Sequence, residues 1–405
     1  MNEQTRICLE NADLALRPPE LITPVPREYY PEIDDYTMSS GIARTPGGRF
    51  YLSWFGRDDG PDTVMLLARS DDEGKSWSEP EYLIDPGFTP DGHHLSALVG
   101  TVWCDPAGRL WWFFSVSIGY YDGRAGVWAA VCGNPDDEHP AWGKPFRLWH
   151  GCALNKPTVL STGEWALPVS LWRREQIWVD RRFPWNDVDP SLYAELDPLR
   201  GANLLVSTDN GRNWELRGRQ RSVDPCFDEN ICLERRNGTL VMYARDQHGI
   251  VSSHSADGGW SWTPFRREWR TASARFFTTR LPSGNWLMVR HNTAGERSHL
   301  TAFLSSDEGK SWRGGPLLDE RHFVPGRIRP SGRPHLHPVR PAPRPRRNSA
   351  RRLYRSRCGS RVRRLRQSRA ETPAHPERNP AEPEVTDRIA EERRARPAIT
   401  RFRTA

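Results

Sequence analysis

An eight-residue pattern, Ser-x-Asp-x-Gly-x-x-Trp, recurs four times in this chain: Ser70-Asp72-Gly74-Trp77, Ser207-Asp209-Gly211-Trp214, Ser255-Asp257-Gly259-Trp262 and Ser305-Asp307-Gly309-Trp312. The copies start 137, 48 and 50 residues apart. A period near 48 in turn-rich sequence predicts a β-propeller, in which each repeat is one blade. The 137-residue interval is nearly three periods, so two further units are expected within it, one marked by a degenerate copy from Asn134 to Trp142. The motif has a mechanical reading. Asp, and more weakly Ser, accept backbone N–H bonds in a tight turn. Gly takes a positive φ, and Trp buries a large side chain between sheets. The pattern is therefore a clip between outer strands and says nothing direct about chemistry.

A second signal runs in phase. Gly followed by a polar residue opens a short apolar run at Gly48, Gly108, Gly163, Gly238 and Gly284. Each reads as a hairpin turn feeding a strand, which gives five units; no sixth follows Trp312. With 32 Gly, 35 Pro and 18 Trp in 405 residues and only 37% hydrophobic residues, the composition also favours turns with aromatic anchors over a helical bundle. No apolar run approaches 18 residues, so no membrane span is expected. Arg6, Glu10, Asp13, Arg17 and Glu20 leave no apolar run for an ordinary secretory signal. Seven cysteines without a regular framework read as free thiols, and together these features point to a cytoplasmic protein.

The net charge of +7 hides an asymmetry. Residues 324–405 hold 23 Arg, no Lys and 7 acidic residues, leaving 35 basic against 44 acidic residues in 1–323. The body is acidic, and the nucleic-acid affinity that a basic protein suggests attaches only incidentally to the tail. The tail also carries 12 Pro and no Trp. It reads as a disordered basic extension, or as out-of-frame translation of a GC-rich gene that replaces the last blade. The expected organisation is an N-terminal segment 1–29, a propeller 30–323 and the tail 324–405.

The four octapeptides, known as Asp boxes, make residues 30–323 resemble the sialidase (neuraminidase) superfamily. That resemblance implies an all-β, six-bladed propeller with five blades recognisable here and a site at the mouth of its axis. The family opens with Tyr-Arg-Ile-Pro, whose Arg is the first of three that clamp the substrate carboxylate. Here Tyr36-Thr37-Met38-Ser39 puts Thr37 in that place, and a hydroxyl does not replace a bidentate guanidinium. Arg57 and Asp62 reproduce the spacing of a sugar-binding Arg and the Asp acid/base, with Asp58 and Asp59 as competitors and a solvated acidic loop as the alternative. Glu229 and Arg245, sixteen residues apart, resemble the Glu that polarises the tyrosine nucleophile and the second clamp Arg. Arg297, before Leu300-Thr301, matches the third clamp. The nucleophile itself has no counterpart: Leu318-Asp319-Glu320-Arg321 leads into His322-Phe323, and Tyr354 is the only tyrosine after Tyr243.

By propeller geometry, His93, His94, Lys156 and Arg275 precede inner strands and face the mouth, either reading sugar groups or packing. No HxxxH-type spacing suggests a metal, and no cofactor is expected. The residues from Trp178 to Leu199 form an aromatic-rich insertion that either stacks on a sugar or caps the propeller. The leading reading is a sialidase-like exo-glycosidase for an acidic sugar, impaired as written because the tyrosine blade is missing. A propeller lyase using His93, Tyr120 or Tyr121 as base and a non-catalytic carbohydrate-binding propeller are the alternatives.

Overall fold

The computed structural model describes residues 1–31, 38–185, 187–320 and 402–403; Thr37 and nearly all of the basic tail lie outside the described residues. Five antiparallel sheets follow one another along the chain. Blade one is β1 Met38–Arg44, β2 Phe50–Gly56, β3 Val64–Ser70 and β4 Tyr82–Ile84. Blade two is β5 Leu95–Cys104, β6 Leu110–Ile118, β7 Gly126–Cys132 and β8 Phe146–Trp149. Blade three is β9 Thr158–Val159, β10 Trp165–Leu171, β11 Gly201–Ser207 and β12 Asn213–Gln220. Two late residues, Phe402–Arg403, pair with Asn213 and Trp214 on its outer edge. Blade four is β13 Pro225–Glu234, β14 Leu240–Asp246, β15 Gly249–Ser255 and β16 Arg266–Arg270. Blade five is β17 Phe277–Arg280, β18 Trp286–His291, β19 Leu300–Ser305 and β20 Arg313–Asp319. The architecture is an all-β, five-bladed propeller; the sixth blade that the resemblance implied is not among the described residues.

The 137-residue interval corrects one expectation. It holds one hidden blade rather than two, because the Asp box at Ser207 belongs to blade three itself. The extra length is the insertion 172–200 between β10 and β11. The degenerate clip lies where a blade-two clip belongs, with Asn134 Oδ1 accepting from Ala141 N at 2.8 Å.

Consecutive side chains on the middle strands point into opposite seams. All nine residues of β6 are buried. Trp112 Nε1 donates to Ser53 Oγ of blade one at 2.8 Å. Its neighbour Trp111 lies edge-on to Trp165 of blade three, ring centroids 5.6 Å apart. In β18 of blade five the pattern alternates buried and half-buried instead. At the inner rim Gly41 lets β1 approach β5: a Cβ there would lie 2.9 Å from the Thr101 Cα.

Every Asp box makes the same bonds. The Ser Oγ accepts from the Gly N–H at 2.8–2.9 Å. The Asp accepts from the backbone N–H four residues on, at Ser76, Asn213, Ser261 and Ser311. That seventh position escaped the sequence pattern. Hydrogen bonds from Ser76 pull the Asp72 carboxyl down to about 2. Of the four Trp residues only Trp214 is fully buried; Trp77, Trp262 and Trp312 are half-buried. The residue before each Gly also takes positive φ, 61° at Glu73, Asn210 and Glu308.

Helix α1, Glu3–Glu10, is capped by Asn2, whose Oδ1 accepts from Thr5 N at 3.0 Å. It packs on the insertion: Gln4 Oε1 accepts from Val179 N at 3.1 Å and Thr5 Oγ1 from Asp189 N at 2.7 Å. No described helix is long and apolar enough to cross a membrane.

Two stability measurements follow. Trp111→Ala should lower unfolding free energy by about 3–5 kcal/mol in denaturant titration, because it empties a seam. Glu73→Gly, at an exposed left-handed position, should raise it by about 0.5–1 kcal/mol.

Candidate functional site

Antiparallel order sorts the loops between two ends. The Asp boxes close β3–β4-type turns at one end. Inner-strand starts and β2–β3-type turns share the other, and every candidate site residue falls there. Arg57 and Asp62 lie in the β2–β3 turn, and His93 and His94 just before β5. Lys156, Arg275 and Arg297 precede β9, β17 and β19, while Glu229 and Arg245 belong to β13 and β14.

Blades four and five gather one cluster. Arg245 Nη1 donates to Glu229 Oε2 at 3.1 Å, and both residues are buried. Arg245 Nη2 donates to the Ser273 carbonyl at 3.0 Å, and Arg297 Nη2 to the same oxygen at 3.3 Å. Arg275, two residues further on, donates to the Leu154 carbonyl. Burial holds the Arg275 guanidinium below its ordinary range; Glu229 opposes that shift and Arg245 adds to it. Arg245 and Arg275 therefore share the surroundings of the Glu229 carboxylate, and Arg297 joins Arg245 at the Ser273 carbonyl.

A break in β13 aims Glu229. Its pairing with β14 shifts between Pro225 and Asn230. Phe227 and Asp228 fill the bulge at φ 59° and 48°, a costly region for residues with a Cβ. The Phe227 ring lies 5.6 Å from the Arg245 guanidinium.

Blades one and two form the second cluster. His94 Nε2 lies 3.2 Å from Arg57 Nη1 and 3.1 Å from Asp85 Oδ1. Tyr29 OH donates to Asp85 Oδ2 at 2.7 Å, and Arg57 lies over the Tyr29 ring. Burial pushes the Asp85 carboxyl up, but bonds from His94, Tyr29 and Gly87 N outweigh it and bring it down to about 2. Asp62 Oδ2 faces Arg181 Nε at 3.4 Å, and Arg181 also pairs with Asp58. His93 Nδ1 lies 3.0 Å from Asp180 Oδ2. The insertion thus fastens to both blades through Asp180 and Arg181. Lys156 stands elsewhere, donating to the Ile42 carbonyl; burial lowers its pKa and Cys104 opposes that.

A family model described as a BNR repeat-like domain matches residues 48–325. The chain belongs to this BNR repeat-like family. Among solved structures this BNR repeat-like chain is similar to a Hadza microbial sialidase, at 19% identity and TM-score 0.53, over 70% of this chain and 58% of that one. It is similar to the Trypanosoma rangeli sialidase solved with sialic acid, at 13% identity and TM-score 0.52, over 76% of this chain and 52% of that one. The NanB sialidase of Streptococcus pneumoniae gives 11% and 0.51, over 76% and 64%. At these identities the likeness is one of fold, and the chain spans between half and two thirds of each length. No curated protein matches the sequence.

Several partners escaped the sequence. Ser273 serves mainly through its backbone carbonyl, which any residue type supplies, with its Oγ also accepting from Arg245 Nε at 3.3 Å. Arg181 lies 119 residues from Asp62, inside an insertion without a repeat to place it. Asp85 and Tyr29 fall in no motif. Among the described residues no group of three His, Cys, Asp or Glu is placed to hold a metal ion.

The Asp85 carboxyl gives a pH test. Its folded value, about 2, lies below the unfolded value near 4, so its contribution is present above about pH 4 and lost as pH falls toward 2. Asp85→Asn should therefore lower the melting temperature at pH 6, by about half as much at pH 3, and converge with the parent protein only below about pH 2.

Proposed function

We propose that this BNR repeat-like protein is a sialidase-like exo-glycosidase for glycosides of an acidic sugar, whose carboxylate is received by Arg245, Arg297 and Arg275. The convergence of Arg245 and Arg297 on the Ser273 carbonyl carries this reading. Guanidinium forks held by a rigid backbone acceptor suit bidentate recognition of a carboxylate. In the proposed reaction Asp62 protonates the leaving oxygen, and Glu229 draws the proton from a nucleophile. Arg57, His93 and His94 are assigned to the sugar-facing wall of the same mouth, while Lys156, which donates to the Ile42 carbonyl, is not.

Thr37 in place of a clamp Arg favours an acidic sugar other than sialic acid. The sequence beyond Arg321 has no tyrosine in the place the resemblance implies, so the chain as written is impaired in the chemical step. In this reading residues 30–323 carry the binding mouth, and 324–405 stand where the nucleophile blade belongs.

Calorimetric titration with N-acetylneuraminic acid and with glucuronic acid tests this assignment. One of them should bind, and Arg245→Ala should weaken it at least about tenfold, or about 1.4 kcal/mol. Asp62→Asn should leave that affinity unchanged, and a fluorogenic glycoside of the bound sugar should turn over poorly. Binding of neutral sugars alone, or full affinity in Arg245→Ala, would remove the basis for this function.

A further inference from the structure

The turn between β18 and β19, residues 292–299, carries Arg297 and borders a cavity that the proposed site does not use. The cavity has a volume of about 460 Å³ and is lined by Asn292, Thr293, His299, Thr301, Gly315 and Leu317. Asn292 and His299 are exposed, so a ligand reaches it from solvent. Its wall is tied to the first cluster. Ala272 N donates to the Thr293 carbonyl at 2.9 Å. The next residue, Ser273, holds the carbonyl that Arg245 and Arg297 share. One step of chain, about 3.8 Å between Cα atoms, separates the residue that braces the cavity wall from the residue that holds the clamp.

The polar groups of the lining are held in place and only half used. His299 sits at φ 52°, a costly region for a residue with a Cβ. Its Nδ1 lies 3.1 Å from both Thr293 Oγ1 and Ser298 Oγ, and its Nε2 has no partner among the described residues. Asn292 Oδ1 accepts from Arg290 Nη1 at 3.1 Å, so its amide nitrogen, a donor, is the group left over for a ligand. Arg290 is itself fixed, its guanidinium 4.0 Å from the Phe303 ring and 5.1 Å from the Trp269 ring. Thr301 Oγ1 is spent on the His299 carbonyl at 2.8 Å. Gly315 contributes no side chain, and Leu317, 41% exposed, supplies an apolar surface. Among the described residues no carboxylate and no guanidinium lines the cavity.

We propose that this cavity is a second subsite, which takes the neutral, hydroxylated unit joined to an acidic sugar whose carboxylate sits at Arg245 and Arg297. The inference rests on the function proposed above for that cluster. An open cavity with an apolar surface and a few placed polar groups is the usual form of a small-molecule site. Here the His299 imidazole and the Asn292 amide bond hydroxyl groups at fixed positions, and Leu317 packs against the C–H face of a sugar ring. The uncharged lining gives a second carboxylate nothing to pair with, so the unit it takes is neutral.

The test is calorimetric and uses two pairs of ligands: sialyllactose with N-acetylneuraminic acid, and glucuronosyl-galactose with glucuronic acid. For the pair that binds, the longer ligand should bind about tenfold more tightly than the free acid. That advantage should vanish in His299→Gly/Asn292→Ala while affinity for the free acid holds. Glycine adopts the backbone angle of His299 without strain, so His299→Gly alone should melt no lower than the parent protein and still lose most of the advantage. Equal affinities within a pair, or an advantage that survives the double substitution, overturn the subsite and leave the first site standing. Absence of binding by all four ligands overturns both.

Discussion

Alternation along the middle strands is the constraint on which this propeller depends. A strand buried on both faces must satisfy two neighbours at once, and β6 does so with four consecutive aromatics, Trp111 to Phe114, each 2% exposed or less. Trp112 answers to blade one and Trp111 to blade three. A shift of register by one residue would exchange those assignments and send each ring into the wrong seam. The shape of one sheet is thereby fixed by the two beside it.

The clips add local rigidity to that arrangement without taking part in the mouth. Their Ser–Asp–Gly bonds are repeated with nearly constant lengths at the opposite end of the sheets. Loops at the mouth carry no such shared bonding and differ from blade to blade. The β2–β3 turn is acidic and short, the β10–β11 insertion is long and aromatic, and the β13 bulge is strained. Uniformity at one end leaves the other free to vary its charge and reach.

Much of this was legible in the sequence for physical reasons. Asp boxes and hairpin glycines are local: their bonds span four residues, so the pattern of letters contains the whole interaction. The five hairpin glycines all take positive φ, between 82° and 99°. Glu229 and Arg245 were legible as a pair through the resemblance of their segment to the family motif, and they lie on adjacent strands of one hairpin. Arg181 with Asp62, and Tyr29 with Asp85, were not, because each joins segments with no repeat in common. The number of hidden units was misjudged because the insertion 172–200 lengthens blade three, and letters alone do not distinguish inserted length from a further repeat. The burial of Asp228 Oδ1 without a hydrogen-bond partner among the described residues was equally invisible, since it depends on the fold and not on the residues beside it.

The docking of helix α1 on the insertion has a temporal consequence. Gln4 and Thr5 bond to Val179 and Asp189, segments made some 175–184 residues later. As the chain leaves the ribosome, the first helix has no docking site until two blades and part of a third have emerged, and a helix of eight residues has little stability alone. Residues of this helix are thus made well before the segments on which they dock, and closing so long a loop slows their arrival.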